Sequence, residues 1–281
     1  MKLPNFVICG AMKSGTTSLH SYMTQHPDIY MPGGKGQETH YFDNPVNYKK
    51  GLSWYSEKFS AASDQQVIGQ TRPIYMFLDY VPKRIYDVMP DAKLLFILRN
   101  PIDRAYSHYW HEWKKNREPH SFKKALELEE GRLQGDDYTA LKDYSYLSRG
   151  FYFEQISRYL GLFPSSQIKV VIFEEFLKDP KSHTRDCYKF LGVDDDFSPE
   201  FFGKENSTIL PKRRWLKKIL INRFTINSKI LKSVNSRYNT TTTYPTLDID
   251  TRRMLEKTYE EDIGKLERFI GHELSIWRKG S

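Results

Sequence analysis

The chain has 281 residues, 39% of them hydrophobic and 28% charged, with a formal net charge of +8 at pH 7. That length suits one large α/β domain or two small ones, and its two cysteines, Cys9 and Cys187, exclude a disulfide framework and fit a reducing compartment. No apolar run approaches the ~20 residues of a membrane span, and Met1 runs almost directly into the first strand signal with no room for a signal peptide, so a cytoplasmic location is expected.

The first predicted strand, Phe6–Cys9, buries Cys9 as a small hydrophobe. It runs into Gly10-Ala11-Met12-Lys13-Ser14-Gly15-Thr16-Thr17-Ser18, and a helical pattern covers Ser18–Gln25. A strand, a glycine-bearing turn and a hydroxyl-rich helix start together make a phosphate site, because orphan N–H groups and the helix dipole attract an anion. A nucleotide triphosphatase loop carries its Lys directly after the second glycine. Here Thr16 follows Gly15, and Lys13 stands two residues before it. The loop suits a phosphate but not a Mg-triphosphate.

Further strands are predicted at Val67–Gly69, Leu94–Leu98 and Ile168–Phe173, with helices at Tyr80–Val88, Ile102–Lys115, Phe151–Leu160 and Ser182–Leu191. This alternation predicts a single α/β domain over residues 1–281, a parallel sheet flanked by helices on both faces, with ligands at the strands' carboxyl ends. Leu255, Tyr259, Ile263, Leu266 and Ile270 recur at helical spacing behind Asp250, the expected N-cap of a last, core-packing helix.

The Leu94–Leu98 strand delivers Arg99 to its carboxyl end, and Ser107 lies two turns into the next helix on a face shared with Asp103. An arginine fork plus a hydroxyl can receive a second phosphate; the same residues read equally as a strand-end arginine and a surface serine. Between Lys204 and Thr246 stand ten Lys or Arg against one acid, Glu205, so the remaining chain is near neutral. Within this stretch Trp215, Leu216, Ile219, Leu220 and Phe224 alternate with Arg214, Lys217, Lys218 and Arg223. Three readings stand side by side: a basic amphipathic helix over 212–224 on an anionic membrane, a cover for an anionic acceptor, or a solvated basic face packed on the core. No nucleic-acid module accompanies the charge, and nucleic acid is not an expected partner.

Lys13-Ser14-Gly15-Thr16-Thr17, followed by Leu98-Arg99-Asn100-Pro101 with Ser107, resembles the sulfotransferases that use 3′-phosphoadenosine 5′-phosphosulfate (PAPS), the heparan-sulfate glucosaminyl type above all. The likeness continues through Glu38-Thr39-His40-Tyr41-Phe42-Asp43, Thr71-Arg72-Pro73-Ile74-Tyr75, Arg149-Gly150-Phe151-Tyr152, Phe163–Ile168, Phe176–Pro180 and Trp277. It implies a P-loop-like α/β fold, a parallel sheet flanked by helices on both faces, and in-line transfer of a sulfuryl group, with no metal required, to a hydroxyl or amine of a carbohydrate, lipid or small-molecule acceptor. It implies that Lys13, Ser14, Gly15, Thr16, Thr17 and Ser18 hold the 5′-phosphosulfate, that Arg99 and Ser107 take the 3′-phosphate, and that Lys212, Arg213 and Arg214 close over the nucleotide. Glu38 stands at the catalytic carboxylate's position, with His40 the other candidate base; in an extended stretch the two share one side. Departures exist: Gln37 stands where a lysine is common, and Gly69-Gln70-Thr71-Arg72-Pro73 replaces Gly-Glu-Lys-Thr-Pro, leaving Arg72 to supply the charge. Arg is not a simple replacement for Lys, so a different acceptor subsite is expected. The competing readings are a nucleotide-dependent kinase with an altered loop and a non-catalytic basic module.

Overall fold

The computed structural model describes residues 1–32, 39–135, 137–203, 210–211, 240–241 and 244–278. Five strands, β1 (Phe6–Gly10), β2 (Ile29–Tyr30), β3 (Val67–Thr71), β4 (Lys93–Leu98) and β5 (Ile168–Ile172), form one sheet in the order β2-β3-β1-β4-β5. Every pairing in it is parallel. A separate pair, β6 (Leu210–Pro211) and β7 (Thr240–Thr241), is antiparallel.

β1 and β4 are apolar along most of their length because both faces are covered. Phe6, Ile8, Leu95 and Ile97 point to one face, where they meet Leu19 and Met23 of α1 (Thr16–Met23). Val7, Cys9, Leu94, Phe96 and Leu98 point to the other, against an aromatic core that includes Tyr41, Tyr55 and Tyr75. Helices on the way round are α2 (Pro45–Tyr48), α3 (Gly51–Glu57), α4 (Val81–Val88), α5 (Pro101–Lys114), α6 (Phe122–Glu127), α7 (Glu129–Leu133) and α8 (Tyr138–Tyr144). They are followed by α9 (Tyr152–Leu160), α10 (Phe173–Lys178), α11 (Pro180–Leu191), α12 (Ile249–Ile270) and α13 (Ser275–Arg278).

The predicted strands and long helices are present with ends shifted by one or two residues. One N-cap is corrected: Asp248, not Asp250, accepts from the Thr251 N–H at 2.8 Å and starts α12. The cap lies two residues earlier because Asp250 is already helical, in the first turn. Leu255, Tyr259 and Leu266 are fully buried, as a packing helix requires. β2 and the short helices between 122 and 144 are not in the sequence reading, since pieces of two to seven residues carry no full period.

Connections from β1 run toward β2 and β3, and those from β4 run toward β5. The crevice between the carboxyl ends of β1 and β4 is therefore the topological switch point, where such sheets bind ligands. Lys13 and Arg99 follow those two strands.

Candidate active site

At the end of β1 the Ala11 N–H donates to the Ile97 carbonyl at 2.7 Å and pins the next loop to β4. The chain turns through Lys13 (φ 69°) and Gly15 (φ 88°) into α1. Position 15 requires glycine twice over: φ is left-handed, and a Cβ would stand 2.6 Å from the Phe173 ring. α1 begins with no side-chain cap and no acid in its first turn. Its leading N–H groups lack a side-chain acceptor at the positive end of the dipole, which suits an anion. α5 differs: the Asn100 side chain accepts from the Ile102 N–H at 2.9 Å and closes that N-terminus.

Around this loop Ser14 and Thr16 are buried, Lys13 and Ser18 half-buried and Thr17 exposed. Burial, then the nearby Arg99 guanidinium, pushes the Lys13 pKa down to about 8. Arg99 is tied to the same loop. Its Nη1 donates to the Lys13 carbonyl at 3.4 Å, and its guanidinium lies 5.5 Å over the Phe173 ring that also underlies Gly15.

Long-range bonds hold the Arg99 turn. The Tyr152 hydroxyl donates to the Arg99 carbonyl at 2.7 Å, and the Asn100 N–H donates to Glu174 Oε1 at 2.9 Å. Asn100 Nδ2 donates to the Trp277 carbonyl, and Trp277 Nε1 to Glu174 Oε2, both at 2.8 Å. Tyr152 and Trp277 thus act by holding the element that carries Arg99. Ser107 is buried, its hydroxyl 3.2 Å from that of Tyr244. Asp103 pairs with Arg252 at 3.0 Å. One turn beyond Ser107, His111 is brought near Lys13; burial first, then that charge, pushes its pKa to about 3 and keeps the imidazole neutral.

A second cluster surrounds Asp43, which is fully buried. Its Oδ2 accepts from Arg72 Nε at 3.0 Å, Arg72 Nη2 at 2.8 Å and the Tyr138 hydroxyl at 2.6 Å, with His40 Nδ1 at 3.1 Å. Burial raises the Asp43 pKa, but the His40, Arg72 and Tyr138 contacts outweigh it and hold the carboxyl below its usual range. His40 has φ 45°, so the extended geometry that would align it with Glu38 is not met at that residue. Arg72 is drawn to Asp43 because a buried carboxylate needs a fork of donors. At the position vacated by the family's lysine, the Thr71 hydroxyl meets His20 Nδ1 at 2.9 Å. Glu38, Lys212, Arg213, Arg214 and the 212–224 stretch lie outside the described residues.

The sequence reading assigned no role to Tyr138, Tyr244, Phe173 or His111. Asp43 stood within a quoted motif, three residues after His40, and that spacing was its one signal. Tyr138 carries none, being brought in from a distant helix.

A family model of the sulfotransferase domain matches residues 3–267. The chain belongs to the sulfotransferase family. This sulfotransferase is 33% identical to a sulfotransferase from Alicyclobacillus acidocaldarius, whose crystal structure superimposes with a TM-score of 0.76 over 99% of this chain and 100% of that one. It is 29% identical to the mouse bifunctional heparan sulfate N-deacetylase/N-sulfotransferase 4, over 98% of this chain and 31% of the relative. With the human heparan sulfate glucosamine 3-O-sulfotransferase 5 it shares 31% identity over 68% of this chain and 54% of the relative. It thus spans about a third to a half of the length of these curated relatives. Among the described residues no helix is long and apolar enough to cross a membrane.

Proposed function

We propose that this sulfotransferase transfers the sulfuryl group of PAPS to a hydroxyl or amine of a saccharide acceptor. The carrying observation is a pair of candidate anion receivers at the switch point: the uncapped start of α1 behind Lys13, and Arg99 just after the adjacent strand β4 with buried Ser107 on the helix that follows. Their chemistry fits a nucleotide with two separate phosphates. The loop would hold the 5′-phosphosulfate, Arg99 and Ser107 the 3′-phosphate, and Lys212, Arg213 and Arg214 are candidates to close over it. The saccharide class is supported by the relatives named for heparan sulfate.

PAPS supplies an activated sulfuryl group with a phosphate as leaving group. Lys13 stands ready to neutralise charge gathering on that phosphate, where a fixed cation acts only as the bond breaks. Glu38 accepts the acceptor's proton as its oxygen or nitrogen bonds to sulfur. His40 is the second candidate base, with its Nδ1 beside Asp43, Arg72 and Tyr138. Arg72 and Tyr138 position this centre through Asp43.

Calorimetry with adenosine 3′,5′-bisphosphate and with ATP, each with and without EDTA, tests the reading. Metal-independent binding of the bisphosphate is expected. Tight Mg-dependent ATP binding with no response to the bisphosphate would make the protein a kinase.

A further inference from the structure

The inner face of α5 carries charge that the transfer reaction does not use. Arg104 and His108 are one turn apart on it, and neither has any solvent exposure. Arg104 Nη2 donates to the Tyr146 carbonyl and the Tyr259 hydroxyl lies beside the guanidinium, but no well-formed hydrogen bond reaches its Nε and Nη1 or either ring nitrogen of His108, whose ring packs on that of Tyr146. Arg149 is buried nearby with neutral partners: Ser145 Oγ at 2.6 Å, the Leu141 carbonyl at 2.9 Å, the Lys142 carbonyl at 3.3 Å and Met12 Sδ at 3.1 Å. The buried carboxylate that both arginines sense is Glu129. It is already occupied, accepting from the Leu147 N–H at 2.5 Å, the Ser148 N–H at 2.8 Å and the Ser148 hydroxyl at 2.7 Å.

Two buried guanidiniums and the Glu129 carboxylate thus share this part of the interior. The unpartnered nitrogens of Arg104 can only donate, since a guanidinium has no acceptor atom and keeps its proton. Burial and the two arginines drive the His108 pKa far down, so its neutral ring adds one N–H. The N–H groups without a partner call for a small ligand that accepts hydrogen bonds and carries one negative charge. We propose that a monovalent halide-type anion, chloride or its analogues, binds between Arg104 and His108 as a structural ion behind the nucleotide crevice. Water could satisfy the N–H groups but would leave the excess charge uncompensated.

Crystals of the full chain grown in sodium bromide test this directly. An anomalous peak in contact with Arg104 and His108 is expected; water density there, or no density, overturns the proposal. In solution the melting temperature should rise saturably with chloride against gluconate at constant ionic strength. That rise should disappear in Arg104→Met and in His108→Phe. If Arg104→Met does not fold, His108→Phe with the bromide data still decides the question. Equal melting in both salts, or an unchanged chloride response in His108→Phe, would count against an ion at this site.

Discussion

At the scale of single residues, the proposed chemistry turns on the charge state of Lys13. Its folded pKa is pushed down to about 8, below the ordinary 10.5. Between those values the unfolded chain holds more protons than the folded one, so Lys13 makes the free protein more stable as pH rises through that window. Bisphosphate affinity moves the other way, because above about pH 8 the ammonium must first recover its proton. We expect the dissociation constant to rise by up to about tenfold per pH unit there, with proton uptake in calorimetry. Lys13→Arg should flatten the profile, since a guanidinium stays charged; a flat wild-type profile from pH 7.5 to 9.5 would show that Lys13 does not meet the phosphate. Glu38→Gln should lower kcat by about 10²–10⁴ and leave bisphosphate affinity nearly intact. Parallel loss of both would give Glu38 a structural role. The positions of Lys13 and Arg99 after β1 and β4, and of Ser107 in α5, were legible in the sequence because strand-loop-helix grammar places them. Asp43 and Tyr138 were not fully legible, because a hydrogen bond between residues 95 apart leaves no periodicity.

Among the elements, the loop between β1 and α1 depends on one backbone conformation. Gly15→Ala meets two penalties: about 1–2 kcal/mol for a left-handed L residue, and about 1–3 kcal/mol for forcing a Cβ toward the Phe173 ring. Because Phe173 also underlies Arg99, displacing it disturbs both of the proposed phosphate receivers. Thermal melting and calorimetry on this variant should show lower stability together with bisphosphate affinity reduced at least tenfold. Unchanged binding would mean that the loop tolerates a shift of Phe173. The element reading was accurate for β1, β4 and α12, where both covered faces or a long apolar stripe repeat the signal. It placed the α12 cap at Asp250 instead of Asp248, because both residues are acids at the head of the same stripe and only geometry distinguishes them.

For the whole molecule, the switch point joins strands and loops that are distant in sequence, so a ligand there should stabilise the fold as a unit. At a bisphosphate concentration of 100 times its dissociation constant the gain is about 2.7 kcal/mol, a rise of several degrees in melting temperature, and EDTA should leave it unchanged. No rise at saturating bisphosphate would separate binding from the folded crevice. The sequence by itself determined the α/β class, the strand-loop-helix elements that carry Lys13 and Arg99, and the sulfotransferase resemblance, because each depends on local patterns of apolar, glycine and charged residues. Only the tertiary structure decided that Arg99 is moored to the Lys13 carbonyl, that Arg72 turns into Asp43, and that Arg104 and His108 lie buried with nitrogens that no well-formed hydrogen bond reaches. Those outcomes follow from strand order and packing, which bring together charges from separate segments and remove the water that would otherwise screen them.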